Sequence, residues 1–425
     1  MPVNGKRLGE LMLKKIRGLM AFVSLLGLSL FLLNCGSSNS RPAGVLLVTS
    51  QGASTVGSYA IDLSNGNLSQ INTSAATGGT PSDIVLDPTG AVAFVLNIGS
   101  ADISAYTVNS NGTLTAAGST TTVGVASPIG MARDAAGSLL FVVSQGTNPP
   151  PAGCDIAPTS GCPGISVFTI QSGSATLSPV AGSPFLLGRV PTSVFPSISV
   201  TVPNPKPTGP ASLTGPLVYV TGNQDLGGTN DNTVSEFVYD SATNTLTEMT
   251  NSPYSTASSP SAVLAVDLAP VGGAGGLFIY VTNVTTNNVN IFEVCTVVNA
   301  NCTQTDVDMA KLTAVGSPVS VGQNPVAMTV DPTHNFLYVA NRNSNSVSAF
   351  RINQTTGALA ALSPATVSTG SNPAALTMHS SWKFLYVANS GSDNISGFNV
   401  STVNGALSTS GTVTSSARPT GLVAK

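Results

Sequence analysis

The hexapeptide Phe336-Leu337-Tyr338-Val339-Ala340-Asn341 returns unchanged as Phe384-Leu385-Tyr386-Val387-Ala388-Asn389. Weaker copies lie upstream: Val45 to Thr49, Ala93 to Asn97, Leu140 to Ser144, Leu217 to Thr221 and Phe278 to Asn283. Short runs rich in β-branched and aromatic residues, bounded by Gly, Asn and Pro, read as strands buried on both faces. The seven copies, aligned at Asn341, fall at positions 50, 97, 144, 222, 283, 341 and 389. A base unit of about 47 residues, lengthened by insertions in the middle, lies in the period range of propeller repeats.

The sixth unit shows the plan. Val326 to Val330 predicts an inner strand, and Asp331-Pro332-Thr333-His334-Asn335 a tight turn in which Pro sets φ and Asp bonds the backbone ahead. Phe336 to Ala340 is the second strand, Ser346 to Ile352 the third, and Ala358 to Val367 the outer one. Two columns of the inner strand support the alignment. One holds Ile84, Met131, Val194, Val263, Met328, Leu376 and Leu422; the residue before it is small in every unit but one, where it is Asp83. Neighbouring strand residues face opposite ways, so bulky faces can nest into slim ones.

The ends predict closure. The first unit starts at its second strand, Gly44 to Thr49, and the chain finishes on an inner-strand sequence, Pro419 to Ala424. The fold expected is therefore all-β: a seven-bladed β-propeller over residues 44–425, with four-stranded blades, its ring closed by the C-terminal strand joining the first blade. Insertions at 145–163, 203–216, 223–232 and 295–310 are expected to be loops.

The chain has 425 residues, 42% apolar but only 8% charged. Its polar surface must come from Ser, Thr, Asn and Gly, which suit turns and strands better than helices. Lys6, Arg7, Lys14, Lys15 and Arg17 precede an uncharged run from Leu19 to Leu33. That run is short for a membrane span and suits an export signal. Leu32-Leu33-Asn34-Cys35-Gly36 is similar to a bacterial lipoprotein box, with Asn34 departing from the usual small residue. The expectation is a signal peptide over 1–34, lipid on Cys35, and a tether over 35–43 that leaves the protein at the cell envelope, periplasmic or on the outer-membrane surface. Translation could also start at Met12. Cleavage would remove five of fifteen basic residues and one of eighteen acidic ones, leaving ten against seventeen. No basic cluster remains, which argues against nucleic acid as a partner. The other four cysteines form two close pairs, Cys154/Cys162 and Cys295/Cys302, economically read as disulfides in an oxidising compartment.

The unit Asn-Pro, Asp-Pro, Phe-Leu-Tyr-Val-Ala-Asn, Ser-Val-Ser and Thr-Gly-x-Leu, as it stands from Asn324 to Leu359, resembles the YVTN repeat shared with the seven-bladed lactonase-like propellers, among them proteins of 6-phosphogluconolactonase type. The resemblance covers about residues 44–425. It implies the propeller fold, and a lactone-opening activity using His, Arg and Glu around one face.

Such groups are scarce here. His334 and His379 sit in inner-strand turns and read as turn residues; Glu236, Glu248 and Glu293 lie on peripheral strands. Asp83, by the channel, and Arg133, at the far end of an inner strand, are the charged inner-strand candidates for ligand contact. The loops after the second strands add Asn97, Asn283, Asn341, Arg342, Asn389 and Asp393, whose side chains could read a sugar or simply form turns. Asp225 and Asp231 match no calcium-loop spacing, and neither a metal nor any other cofactor is expected. The favoured reading is a binding protein whose Asn/Asp-rich face takes a protein, glycan or small ligand. A lactonase-like hydrolase acting on a sugar lactone at the channel and a surface-layer or adhesion module are the rivals.

Overall fold

The structure is a computed structural model that describes residues 44–71, 74–118, 120–147, 154, 161–205, 210–268, 276–295, 302–303 and 310–425. The expected signal peptide, Cys35 and the tether lie outside these residues. No helix occurs among the described residues, whose strands form seven antiparallel sheets. The blades are therefore those of a seven-bladed propeller.

The inner strands are Pro419–Ala424, Pro81–Leu86, Pro128–Arg133, Arg189–Pro203, Pro260–Asp267, Pro325–Val330 and Pro373–Met378. In blade six the remaining strands are Phe336–Asn341, Ser346–Ile352 and Leu359–Ser368, close to the sequence reading. In the first five blades the outer strand is broken into two short pieces that pair with the same third strand.

The ring closes as expected. Gly44–Ser50 pairs antiparallel with Pro419–Ala424, with Leu47 opposite Val423 and Val48 opposite Leu422. His379 secures the seam: the amide of Ser381 donates to its Nδ1, so its Nε2 carries the proton and donates to the Lys425 carbonyl at 3.1 Å.

The register slips by one residue after the opening proline of the inner strands, as between Pro81 and Asp83, Pro325 and Ala327, and Pro373 and Ala375. The skipped residues, Ser82, Ile129, Thr192, Ser261, Val326, Ala374 and Thr420, all line the central channel. Several sew blades together there. Thr192 donates to the Pro260 carbonyl, Ser261 to that of Pro325, and Thr420 to that of Pro81. A bulge turns an extra side chain out of the ladder, which is how these hydroxyls reach the next blade.

The bulky column is buried between blades: Ile84 packs with Val45 and Leu47 of the preceding blade, and Met131 with Phe94 and Leu96. The slim column permits close approach. A Cβ on Gly421 would stand 2.9 Å from the Ser82 carbonyl oxygen.

One expectation fails. The insertions of blade four are not simple loops, because its strands run to fifteen, fourteen and eleven residues. The Pro-rich stretch continues as a ribbon that pairs Val200 with Gly215 and Val202 with Leu213, and both Val202 and Leu213 are buried. Alternating Val-x-Val and Ser-Leu-Thr sequence supplies a period-two pattern that the prolines obscure.

Candidate functional site

The Asn residues expected on the ligand face are buried instead. Asn97, Asn283, Asn341 and Asn389 are each 0% exposed. Each turns its amide into its own hairpin: Asn97 Nδ2 donates to Asp102 and Ser104, Asn341 Nδ2 to Ser346 and Ser348, and Asn389 Nδ2 to Asn394 and Ser396. Asn283 does the same with Asn288 and Asn290. A glycine of the incoming strand lies over three of them, since a Cβ on Gly78, Gly322 or Gly370 would collide with Asn97, Asn341 or Asn389. Asp393 is also committed: its Oδ1 accepts the Arg418 amide at 2.7 Å, as Asn345 Oδ1 accepts that of Asn372. These side chains hold loops and adjacent blades together; the four Asn do not reach the surface where a ligand was expected, whereas Asp393 stays exposed.

Arg342 is different. It is exposed and borders a hollow of about 480 Å³ with Gln145, Asn223 and Asn324.

The far mouth of the channel gathers more chemistry. A cavity of about 550 Å³ is lined by Asp83, Arg133, Asp134, Asp267 and His334, with Met131, Phe195 and Met328 as apolar walls. The volume is in the usual range for small-molecule sites. The two charged inner-strand candidates, Asp83 and Arg133, thus meet in one cavity. Asp83 is half-buried, enclosed by the walls yet open to the channel. It sits where other blades carry a small residue, and it accepts the amides of Ile84 at 2.8 Å and Met131 at 3.1 Å, tying blade two to blade three. Burial pushes its carboxyl pKa up, against the opposing pull of those two amides. The Arg133 guanidinium makes no ion pair with any described carboxylate, Asp134 included. Asp134 instead caps its own turn, accepting from Leu139 N and Ser138 Oγ.

His334 and Asp267 were missed as site residues. His334 Nδ1 lies 2.6 Å from the Asp267 carbonyl oxygen, which can only accept, so Nδ1 carries the proton. In the neutral ring, Nε2 is then left with the free lone pair. His334 read alone was a turn residue, and Asp267 drew no reading. Their shared signal is position: Arg133, Asp134, Asp267 and His334 all stand at or just past the far ends of inner strands, hence on one rim.

Among the described residues no cluster of three or more His, Cys, Asp or Glu is placed to hold a metal ion. Asp231 pairs with Arg189 at 2.6 Å, and Asp225 accepts the amides of Gly227 and Thr229. Both expected disulfides, Cys154–Cys162 and Cys295–Cys302, are formed.

The family profile described as "Lactonase, 7-bladed beta-propeller" matches residues 40–148 and 228–368, more than half of the chain. The chain belongs to this lactonase family. No curated protein matches the sequence. Among solved structures, the lactonase-family propeller is similar to the periplasmic gluconolactonase of Pseudomonas aeruginosa, at 19% identity and a TM-score of 0.63 over 90% of this chain and 98% of that one. It is also similar to a candidate 6-phosphogluconolactonase of Bacteroides fragilis, at 17% identity and a TM-score of 0.63 over 92% and 99% of the two chains. At these identities the likeness speaks for the fold of the lactonase-family chain, and its disulfides are compatible with an extracytoplasmic location.

Proposed function

We propose that the protein is an exported, lipid-anchored lactonase that hydrolyses a sugar lactone in the cavity bounded by Asp83, Arg133 and His334. The observation that carries this reading is the meeting, in one concave site, of an unpaired guanidinium, a half-buried carboxyl and an imidazole oriented by a backbone carbonyl. Family membership supports the same reaction class. It displaces the ligand-face reading, because most of that reading's side chains are used up within the fold.

In this scheme water attacks the lactone carbonyl. His334 Nε2 takes its proton, while Arg133 donates to the oxygen on which negative charge develops. Collapse of the tetrahedral intermediate breaks the ring C–O bond, and the departing alkoxide receives the proton from His334, giving the open hydroxy acid. Asp83, its carboxyl pKa raised, donates or accepts a hydrogen bond at a ring hydroxyl. The test is proton release from glucono-δ-lactone. Acceleration well above the spontaneous rate is expected, and none at any protein concentration would sink the hydrolase.

The anchor rests on Cys35 and the basic, then apolar, N-terminus. Cys35→Ser should move the protein from the membrane fraction to the soluble one. A second reading, binding without turnover, is favoured only by the hollow beside Arg342, where a protein or glycan partner would contact Gln145 and Asn223.

A further inference from the structure

We infer that the cavity at the far mouth selects an uncharged sugar lactone and rejects its phosphate monoester. This rests on the lactonase reading and adds the charge class of the substrate.

A phosphate monoester brings nearly two negative charges and three strong acceptor oxygens. Sites that take one supply clustered Arg or Lys, or the amides of a helix N-terminus. The described walls offer neither. Arg133 is the sole cation among the described residues lining this cavity, against the carboxylates of Asp83, Asp134 and Asp267. The balance is negative whether Asp83 is ionised or neutral, and His334 adds charge only when doubly protonated. The other cations of the described residues do not line it. Lys425 Nζ donates to the Gly90 carbonyl, and Arg351 lies over the Phe336 ring at 5.1 Å. The described residues contain no helix whose N-terminus could serve.

The same groups suit a polyol. Asp267 is exposed on the rim and its carboxylate accepts from sugar hydroxyls; Asp83 lies deeper in the channel. With one guanidinium available, a phosphate on the substrate would compete with the developing oxyanion for Arg133, so it would lower turnover as well as affinity.

The experiment compares kcat/KM for glucono-δ-lactone and its 6-phosphate. Alongside it, calorimetry measures binding of the unreactive gluconolactam and its 6-phosphate to the full chain. The neutral lactone should be preferred at least tenfold, and the neutral lactam should bind more tightly. Asp267→Lys should shift the preference toward the phosphate ester by tenfold or more. Equal or better use of the phosphorylated lactone by the unaltered protein overturns the inference. If neither lactone turns over but the neutral lactam binds selectively, the hydrolase falls and the charge selection stands. If neither lactam binds and neither lactone turns over, both fall.

Discussion

Tyr386 of the seventh blade donates its hydroxyl to the carbonyl oxygen of Gly66 in the first blade, 2.9 Å away. The same stitch joins Tyr280 to Gly357 and Tyr338 to Gly405, each one blade onward. The glycine has positive φ in all three places, and a Cβ there would strike the ring of Phe384, Phe278 or Phe336. The repeated Phe-x-Tyr is thus a clamp: the ring lies on the next blade's turn, and the hydroxyl binds that turn's carbonyl. Seven sheets become one ring through contacts of this kind as well as through the core.

Tyr386→Phe should therefore lower stability by about 1–2 kcal/mol, since it removes a buried hydrogen bond and leaves a carbonyl unpaired. Gly66→Ala should cost more, because the left-handed backbone and the Phe384 ring both oppose a methyl group. Chemical denaturation of the two variants checks the order. An unaffected Gly66→Ala would contradict the clamp.

Removing Pro419–Lys425 should open the ring. The truncation strips the inner strand from the first blade, exposes the Gly44–Ser50 edge and withdraws Leu422 from its cluster. Burial of such a side chain alone is worth about 1.5–3 kcal/mol. Thermal unfolding should move to clearly lower temperature, and an unchanged transition would mean that the tail does not close the ring.

Blade four carries a buried acid where its neighbours carry Ala349, Ile291 or Gly397 opposite the tyrosine. Glu236 is 0% exposed and takes the Tyr219 hydroxyl at 2.9 Å. Burial pushes its pKa up to about 8, against hydrogen bonds from Tyr219 and Tyr254. A carboxyl raised on folding binds its proton more tightly in the native state than in the unfolded one. Its stabilising contribution is full below the unfolded pKa near 4.5 and lost as pH rises through about 8. The slope in that window is about −1.4 kcal/mol per pH unit. Glu236→Gln should flatten the fall in stability between pH 5 and 8 and raise Tm at pH 8. An identical pH profile would show that Glu236 does not titrate as argued.

Asp83 separates stability from activity. Burial opposes its ionised form, and Asp83→Asn keeps an oxygen for the Met131 amide but turns its NH2 toward the Ile84 amide that the other carboxyl oxygen accepted. Removal of the buried charge offsets the lost Ile84 bond, so that variant should melt close to the parent protein while its lactone turnover falls. A large drop in Tm with activity retained would make Asp83 a purely structural clamp.

Much of this architecture was legible because the repeat is periodic at two scales: alternation within a strand and recurrence of Phe-x-Tyr-x-x-Asn between blades. The terminal half-units at Gly44 and Pro419 even fixed the closing pair. The site was harder to read. Asn341 and its counterparts sit beside loops in sequence, yet their side chains turn inward. Only the cross-hairpin bonds to Ser346 and Ser348 reveal that. Conversely, Asp267 and His334 are 67 residues apart, and nothing local couples them. Blade geometry brings both to one rim, and a one-dimensional reading took His334 for a turn and gave Asp267 no role.

The central claim is that chemistry occurs at the Arg133–His334 mouth and not at the face bearing Arg342. The most direct measurement is the rate of glucono-δ-lactone hydrolysis by the full chain set beside Arg133→Ala, His334→Ala and Arg342→Ala. The first two variants should lose roughly 100-fold or more in kcat/KM, as expected for removing an oxyanion donor or a general base, and Arg342→Ala should stay within about twofold, as expected for a residue that takes no part in the reaction. Turnover that survives loss of Arg133 and His334, or that collapses with Arg342 alone, would place the reaction at the other end of the channel.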